Sequence, residues 1–183
     1  MLCCKYGDSA WLLRHNKVQQ ALAGFARKQG LAVDQNVRKS FEDAEMKSQN
    51  FEPDIIVYFQ DQALWGDVSI VEPVAPSNVK DNDNVGEAMD NRAHLKNRKY
   101  LARARSMGAD FVPLVVETHG RFHAEFTKLL KRLAIQLDGY HGVTAREMAV
   151  VVNFEVVKGN AAHAASVRSR AWKAWNKQRQ RAN

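Results

Sequence analysis

Apolar and polar positions recur with two different periods along this chain, and the change of period marks out its elements. Residues 16–29, NKVQQALAGFARKQ, set Val18, Ala21, Leu22 and Phe25 at helical spacing, with Asn16 as cap and Gly30 as stop. Leu31-Ala32-Val33 reads as a short first strand, and the polar, punctuated stretch from Asp34 to Glu52 as mostly loop. IIVYF at 55–59 and DVSIV at 67–71 read as strands around the turn-like Gln60-Asp61-Gln62. Residues 74–84 are expected to be loop and 85–107 a helix ending at Gly108. FVPLVVE at 111–117 is a further strand whose Pro113 points to an irregular or edge position. In 121–137, Phe122, Phe126, Leu129, Leu130, Leu133 and Leu137 share one face of an amphipathic helix. Thr144 and Glu147 form a capping-box pattern that opens another helical stretch, although its valine-rich interior also reads as strand. Gly159 is expected to break that stretch and Asn160 to cap a final helix. The order α-β-β-β-α-β-α predicts an α/β domain with helical additions behind it.

At 183 residues the chain suits one domain with an appendage, and its 45% hydrophobic and 26% charged residues are ordinary for a globular protein. No apolar run approaches the roughly 20 residues of a membrane span, so a membrane is not expected as a partner. No secretory leader is read at the start. Cys3 and Cys4 are adjacent and suggest no disulfide framework, so an intracellular, reducing setting is expected. The net charge of +7 is unevenly placed. From His141 onward eight Lys/Arg face only Glu147 and Glu155, while the first 140 residues are close to balance. A basic tail of this kind suits a nucleic-acid partner or a well-solvated surface.

The chemistry lies in residues 53–73, PDIIVYFQDQALWGDVSIVEP. Asp54 opens one apolar run and Asp67 lies inside the next, with twelve residues between them. Two short strands and a tight connection of that length bring the two carboxylates together. Side by side they repel, and one takes up a proton unless a cation separates them. Mg²⁺ or Mn²⁺ is the natural partner, because a hard ion favours oxygen ligands and keeps several waters. Such an ion can acidify a water and polarise a phosphoryl oxygen. The bland alternative is that an Asp after Pro starts a turn and an Asp after Gly ends one.

Pro53-Asp54, twelve residues, then Asp67-Val68-Ser69 resembles the PD-(D/E)XK nuclease signature, whose last position is usually lysine. Here that position is Ser69. A lysine would have to come from AHLKNRKYLARAR, where Lys96, Lys99, Tyr100 and Arg103 fall at i, i+3, i+4 and i+7 on one basic helical face. Further segments narrow the resemblance. CCKYGDSAWLLRHNKVQQAL, with Arg14-His15-Asn16 after Cys4, is similar to the entry of the restriction-like endonuclease at the C-terminus of site-specific non-LTR retrotransposon proteins. GADFVPLVVETHGRF and VVKGNA resemble later segments of the same family, so the similarity spans most of residues 3–165. Members of that family carry the lysine on the helix after the second acid in a Lys-Tyr context, which Lys99-Tyr100 match.

The resemblance implies a PD-(D/E)XK-like mixed sheet flanked by helices, with a nuclease core at 1–140 and a basic helical extension at 141–183. It implies a metal-dependent DNA endonuclease that nicks target DNA for retroelement integration. Asp54 and Asp67 would hold Mg²⁺ or Mn²⁺. Lys99 or Lys96 would activate water, Tyr100 would position the lysine, and Arg14, His15, Asn16 and Arg103 would meet DNA. It also implies a nuclear location if the source is a eukaryotic retroelement, and possible membership of a larger reverse-transcriptase polyprotein. Two departures stand beside it: Glu52 where a basic residue often precedes Pro-Asp, and no upstream part of a zinc knuckle to complete four ligands around Cys4. The rivals are a catalytically silent DNA-binding module of the same fold and a junction-resolving or repair nuclease. Glu117, closing a strand, either lines the site or faces water. In SVRSRAWKAWNKQRQRAN, Arg168, Arg170 and Lys173 can neutralise phosphates. Trp172 and Trp175 either stack on unpaired bases or dock the helix on the core.

Overall fold

The computed structural model describes residues 10–36, 39–43, 46–75, 78, 85–135 and 143–182; of residues 10, 39–43, 46–51 and 181–182 it describes the backbone only. Cys3, Cys4, Leu137 and most of the expected 74–84 loop lie outside the described residues. The elements are α1 (Ala10–Lys28), β1 (Ala32–Gln35), β2 (Lys39–Asp43), β3 (Met46–Phe51), β4 (Ile55–Tyr58) and β5 (Ala63–Val71), then α2 (Glu87–Ser106), β6 (Ala109–Glu117), α3 (Ala124–Ile135) and α4 (Ala145–Ala182).

The architecture is α/β, built on a four-stranded mixed sheet of order β1-β4-β5-β6. β1–β4 and β4–β5 are antiparallel, and β5–β6 is parallel with α2 as its crossover. β6 is an edge strand, and Pro113 is accommodated within it. The two faces of the sheet are covered differently. Even-numbered β5 and β6 residues (Leu64, Val68, Val112, Leu114 and Val116) join Val18, Leu22 and Phe25 of α1, Phe126 and Leu130 of α3, and Met148, Val152 and Val156 of α4 in the main core. Odd-numbered residues face α2, where Trp65 and Phe111 pack with Ile56, Tyr100 and Ala104, and Val71 and Val115 with Met89 and Ala93. Gly66 keeps β4, β5 and β6 close: a Cβ there would sit 2.6 Å from Leu114 Cδ1 and 2.8 Å from Ile55 Cγ2.

Three expectations are corrected. The stretch from Asp34 to Glu52 contains β2 and β3, a separate antiparallel pair. α1 begins at Ala10, so Asn16 is inside the helix rather than its cap. α4 runs unbroken for 38 residues, so Gly159 does not end a helix and Asn160 does not start one. A mid-helix glycine costs about 1 kcal/mol, and here it is required by packing: a Cβ on Gly159 would lie 2.4 Å from Arg14 Cγ and 2.5 Å from Arg14 Cβ. The capping box is present, with Glu147 Oε2 accepting from Thr144 N at 2.7 Å and Glu147 N donating to Thr144 Oγ1 at 3.2 Å. Among the described residues no helix is long and apolar enough to cross a membrane.

Candidate active site

The β4–β5 register explains why the chain places an acid at the mouth of each strand. Ile55 faces Gly66 in the antiparallel ladder, so one further step sets Asp54 against Asp67. Directly opposed residues of a regular ladder have Cβ atoms about 5 Å apart on one face. That face is the one α2 covers, since Ile56 and Trp65 lie on it two residues farther in. Asp54 is half-buried and Asp67 buried.

Asp54 is held from two directions. The next register step would pair Val68 with Pro53, whose missing N–H leaves Val68 O without a ladder donor. Val68 N donates to Asp54 Oδ2 at 2.6 Å. His15, near the start of α1, places Nε2 at 2.9 Å from the same oxygen and 3.1 Å from Val68 O. Both are acceptors, so Nε2 carries the proton. The other ring nitrogen, Nδ1, lies 3.3 Å from Asn16 Oδ1. Burial would lower the His15 pKa, but the hydrogen bond and charge of Asp54 outweigh it, helped by Asn16 and Asp67, and the pKa is raised. Gln19 adds a hydrogen bond to the Asp54 carbonyl and another to Asn36 Oδ1 at 2.9 Å.

Asp67 is held from α2. Lys96 Nζ lies 2.5 Å from Asp67 Oδ2, and the Tyr100 hydroxyl hydrogen-bonds to the same carboxylate. Burial raises the Asp67 pKa, and the charge of Asp54 raises it further. Lys96 and Tyr100 pull it down, but the net shift is upward. Burial, then the negative charges of Asp67, Asp54 and Glu52, push the Tyr100 phenol far up, so it stays a donor. Lys99 Nζ donates to the Tyr100 oxygen at 2.8 Å and lies 4.5 Å from its ring centroid. The lysine brought to the acids is therefore Lys96, and Lys99 touches them only through Tyr100. Ser69 is on the same face as Asp67, two residues on, so a lysine from α2 supplies the charge that the strand does not.

The other expected DNA contacts divide. Arg14 is 5% exposed and its guanidinium donates to Asn160 Oδ1, so it is withdrawn from any open surface. Asn160 Nδ2 donates to Thr118 O at 2.7 Å. The Arg14-His15-Asn16 triplet and the VVKGNA segment thus meet across the α1–α4 contact, with His15 turned to the acids and Arg14 to α4. Nothing in the sequence announced that pairing, although both segments carried the resemblance. Arg103 is half-buried on α2. Glu117 is buried rather than solvated. Arg168, Lys173, Trp172 and Trp175 are exposed and Arg170 half-buried on the part of α4 beyond His163. The two indoles do not dock on the core; they stack on each other, with centroids 5.2 Å apart.

Among the described residues no three His, Cys, Asp or Glu side chains converge into a ready-made metal cage. An ion held by Asp54 and Asp67 would keep most of its waters, as Mg²⁺ commonly does. The pair suits such an ion: two adjacent carboxylates, one with its pKa raised by burial and then by its neighbour's charge, gain from a cation between them. The chain matches no protein-family model and no curated protein.

Proposed function

We propose that this protein is a Mg²⁺- or Mn²⁺-dependent DNA endonuclease with a PD-(D/E)XK-like fold, hydrolysing a phosphodiester as the retroelement-type enzymes it resembles do. One observation carries the reading: the β4–β5 register, carried one step past Ile55 and Gly66, sets Asp54 against Asp67, with Lys96 Nζ 2.5 Å from Asp67. Asp54 and Asp67 would hold the metal, which would supply charge stabilisation at a phosphoryl oxygen and an acidified water. Lys96 would donate to the phosphoryl oxygens on which charge develops. Tyr100, kept protonated by its burial and by the acids around it, would orient Asp67 and, through Lys99, tie it to the outer face of α2. His15 holds the Asp54 carboxylate, so its Oδ1 is left out of the contacts made to His15 and Val68.

A second reading, a silent DNA-binding module, has one observation in its favour: Lys96 already neutralises Asp67, and His15 already engages Asp54. Purified protein incubated with supercoiled plasmid and with branched DNA separates the two. The nuclease reading expects nicking in Mg²⁺ or Mn²⁺ that EDTA and Asp67→Ala each abolish. Retained DNA binding without cleavage in either metal points to the silent module. Cleavage confined to branched DNA points to a junction-resolving enzyme.

A further inference from the structure

α4 has two apolar faces, and the core uses only one. Met148, Val152, Val156, Gly159 and His163 point into the domain and are buried. On the opposite side Val150, Phe154 and Val157 are 62%, 60% and 57% exposed. They begin a row at alternating spacings of four and three residues that continues through Ala161, Ala164, Arg168, Ala171 and Trp175. That is the spacing of a coiled-coil seam. Val151 and Trp172 flank it, 41% and 62% exposed. The helix is about 57 Å long at 1.5 Å per residue, and beyond His163 none of its described side chains is buried. An apolar stripe of this extent on a helix is a surface for another helix.

We propose that two copies of this chain pair through α4 as an antiparallel coiled coil centred between residues 162 and 163. The seam is its own complement about that point. Val150 meets Trp175 of the second copy, Phe154 meets Ala171, Val157 meets Arg168, and Ala161 meets Ala164. Large side chains fall opposite small ones at Phe154–Ala171, and the alanine pair at the centre lets the helices approach closely. Arg168 lays its aliphatic stem on Val157 and carries its charge to the rim.

Charge selects the orientation. The last part of α4 holds Arg168, Arg170, Lys173, Lys177, Arg179 and Arg181, and the only acids of the helix are Glu147 and Glu155 near its start. A parallel pair would set the two basic ends side by side. The antiparallel pair instead lays each basic end along the first part of the other copy, where Glu147 and Glu155 balance Arg146 and Lys158. The exposed parts of Phe154, Trp172 and Trp175, with the valines and alanines of the row, offer roughly 700 Å² per copy, against roughly 800 Å² per partner in a stable interface. Lys173 and Lys177 lie on the side of α4 away from the seam, so pairing buries the indoles and keeps these two lysines at the surface.

The test is sedimentation equilibrium on the full chain at roughly 1–100 µM, the range in which an interface of this modest size associates. The expected result is a species of twice the 20.7 kDa chain mass. The variant carrying Phe154→Glu and Val157→Glu is expected to dissociate at least about 100-fold more readily, since two charges enter the seam, with circular dichroism and melting temperature matching the unaltered chain at concentrations where both are monomeric. Orientation is read from nitroxides at Lys177→Cys in a chain with Cys3 and Cys4 changed to serine. The antiparallel pair sets them about 44 Å apart from the helical rise, and a parallel pair roughly 10–20 Å apart. A monomer throughout that range, a dimer indifferent to the double variant, or the short label distance would each overturn the proposal. So would a monomer that uses Phe154 to bind vesicles or single-stranded DNA.

Discussion

Replacing Gly159 by alanine should destabilise this protein, although the same change in an open helix does the reverse. In an exposed helix interior Gly→Ala gains about 0.8–1.0 kcal/mol from propensity. At this position the added Cβ would sit 2.5 Å from Arg14 Cβ and 2.4 Å from Arg14 Cγ. Arg14 Cβ is fixed to the α1 backbone, so the clash is not relieved by turning a side chain and the two helices must part. Overpacking of this kind costs about 1–3 kcal/mol, and the rigid contact argues for the upper part of that range. Subtracting the propensity gain leaves a net loss of about 1–2 kcal/mol. At about 2–4 °C per kcal/mol for a chain of this size, the melting temperature should fall by roughly 2–8 °C. Urea unfolding followed by circular dichroism measures it, and an unchanged slope shows that the surface exposed on unfolding is the same in both proteins. A stabilisation near 1 kcal/mol would refute the reasoning, because it would mean that α1 does not press on α4 at this residue.

Three further outcomes are expected. Lys96→Met should lower plasmid nicking by at least about 100-fold, the scale of one lost electrostatic contact to a transition state, whereas Lys99→Met should cost far less; equal losses would remove Lys96 from its assigned place. His15→Gln should destabilise the chain more in mildly acid than in alkaline solution. The folded-state pKa of His15 is raised, so its contribution is complete below the unfolded value of about 6.5 and is lost as pH rises through the folded value. A difference in urea midpoint that is the same at both ends of the titration would contradict the His15–Asp54 pairing. Thr144→Ala should cost about 1 kcal/mol through the lost cap at the start of α4, with no effect on nicking; an unchanged urea midpoint would count against the cap.

The main sheet strands and the helix that covers the acids were legible because apolar periodicity and burial agree there. β4, β5, β6, α2 and α3 fall within a few residues of their expected spans, and the opposition of Asp54 and Asp67 follows from twelve intervening residues and one turn. β2 and β3 were not legible: KSFED and MKSQNF hold only Phe41, Met46 and Phe51 as large apolar residues, too few to show a period of two. The start of α1 was obscured by Trp11, Leu12 and Leu13, three consecutive exposed apolar residues that mark no face. In α4 the valine run suggested a strand, but Met148, Val152 and Val156 at four-residue intervals let the helix bury one row in the main core. Gly159 and Asn160 looked like punctuation because a sequence shows a residue's local habits and not the side chain pressed against it. Asn160 spends its amide on Arg14 and Thr118. The Lys99-Tyr100 match put Lys99 ahead of Lys96, whereas the structure sets Lys96 on Asp67. Only the phase of α2 against the sheet turns Lys96 to Asp67 and leaves Lys99 on Tyr100.

The site account depends on two carboxylates sharing one divalent ion. Titration of the full chain with Mn²⁺, followed by the loss of the free-ion electron paramagnetic resonance signal, tests it most directly. One bound ion per chain is expected at neutral pH. Its affinity should weaken as pH falls through the raised pKa of Asp67, because the proton and the metal compete for the same carboxylate, and it should vanish in Asp67→Ala. Uptake that is absent, or that persists unchanged in Asp54→Ala and Asp67→Ala, would contradict the account.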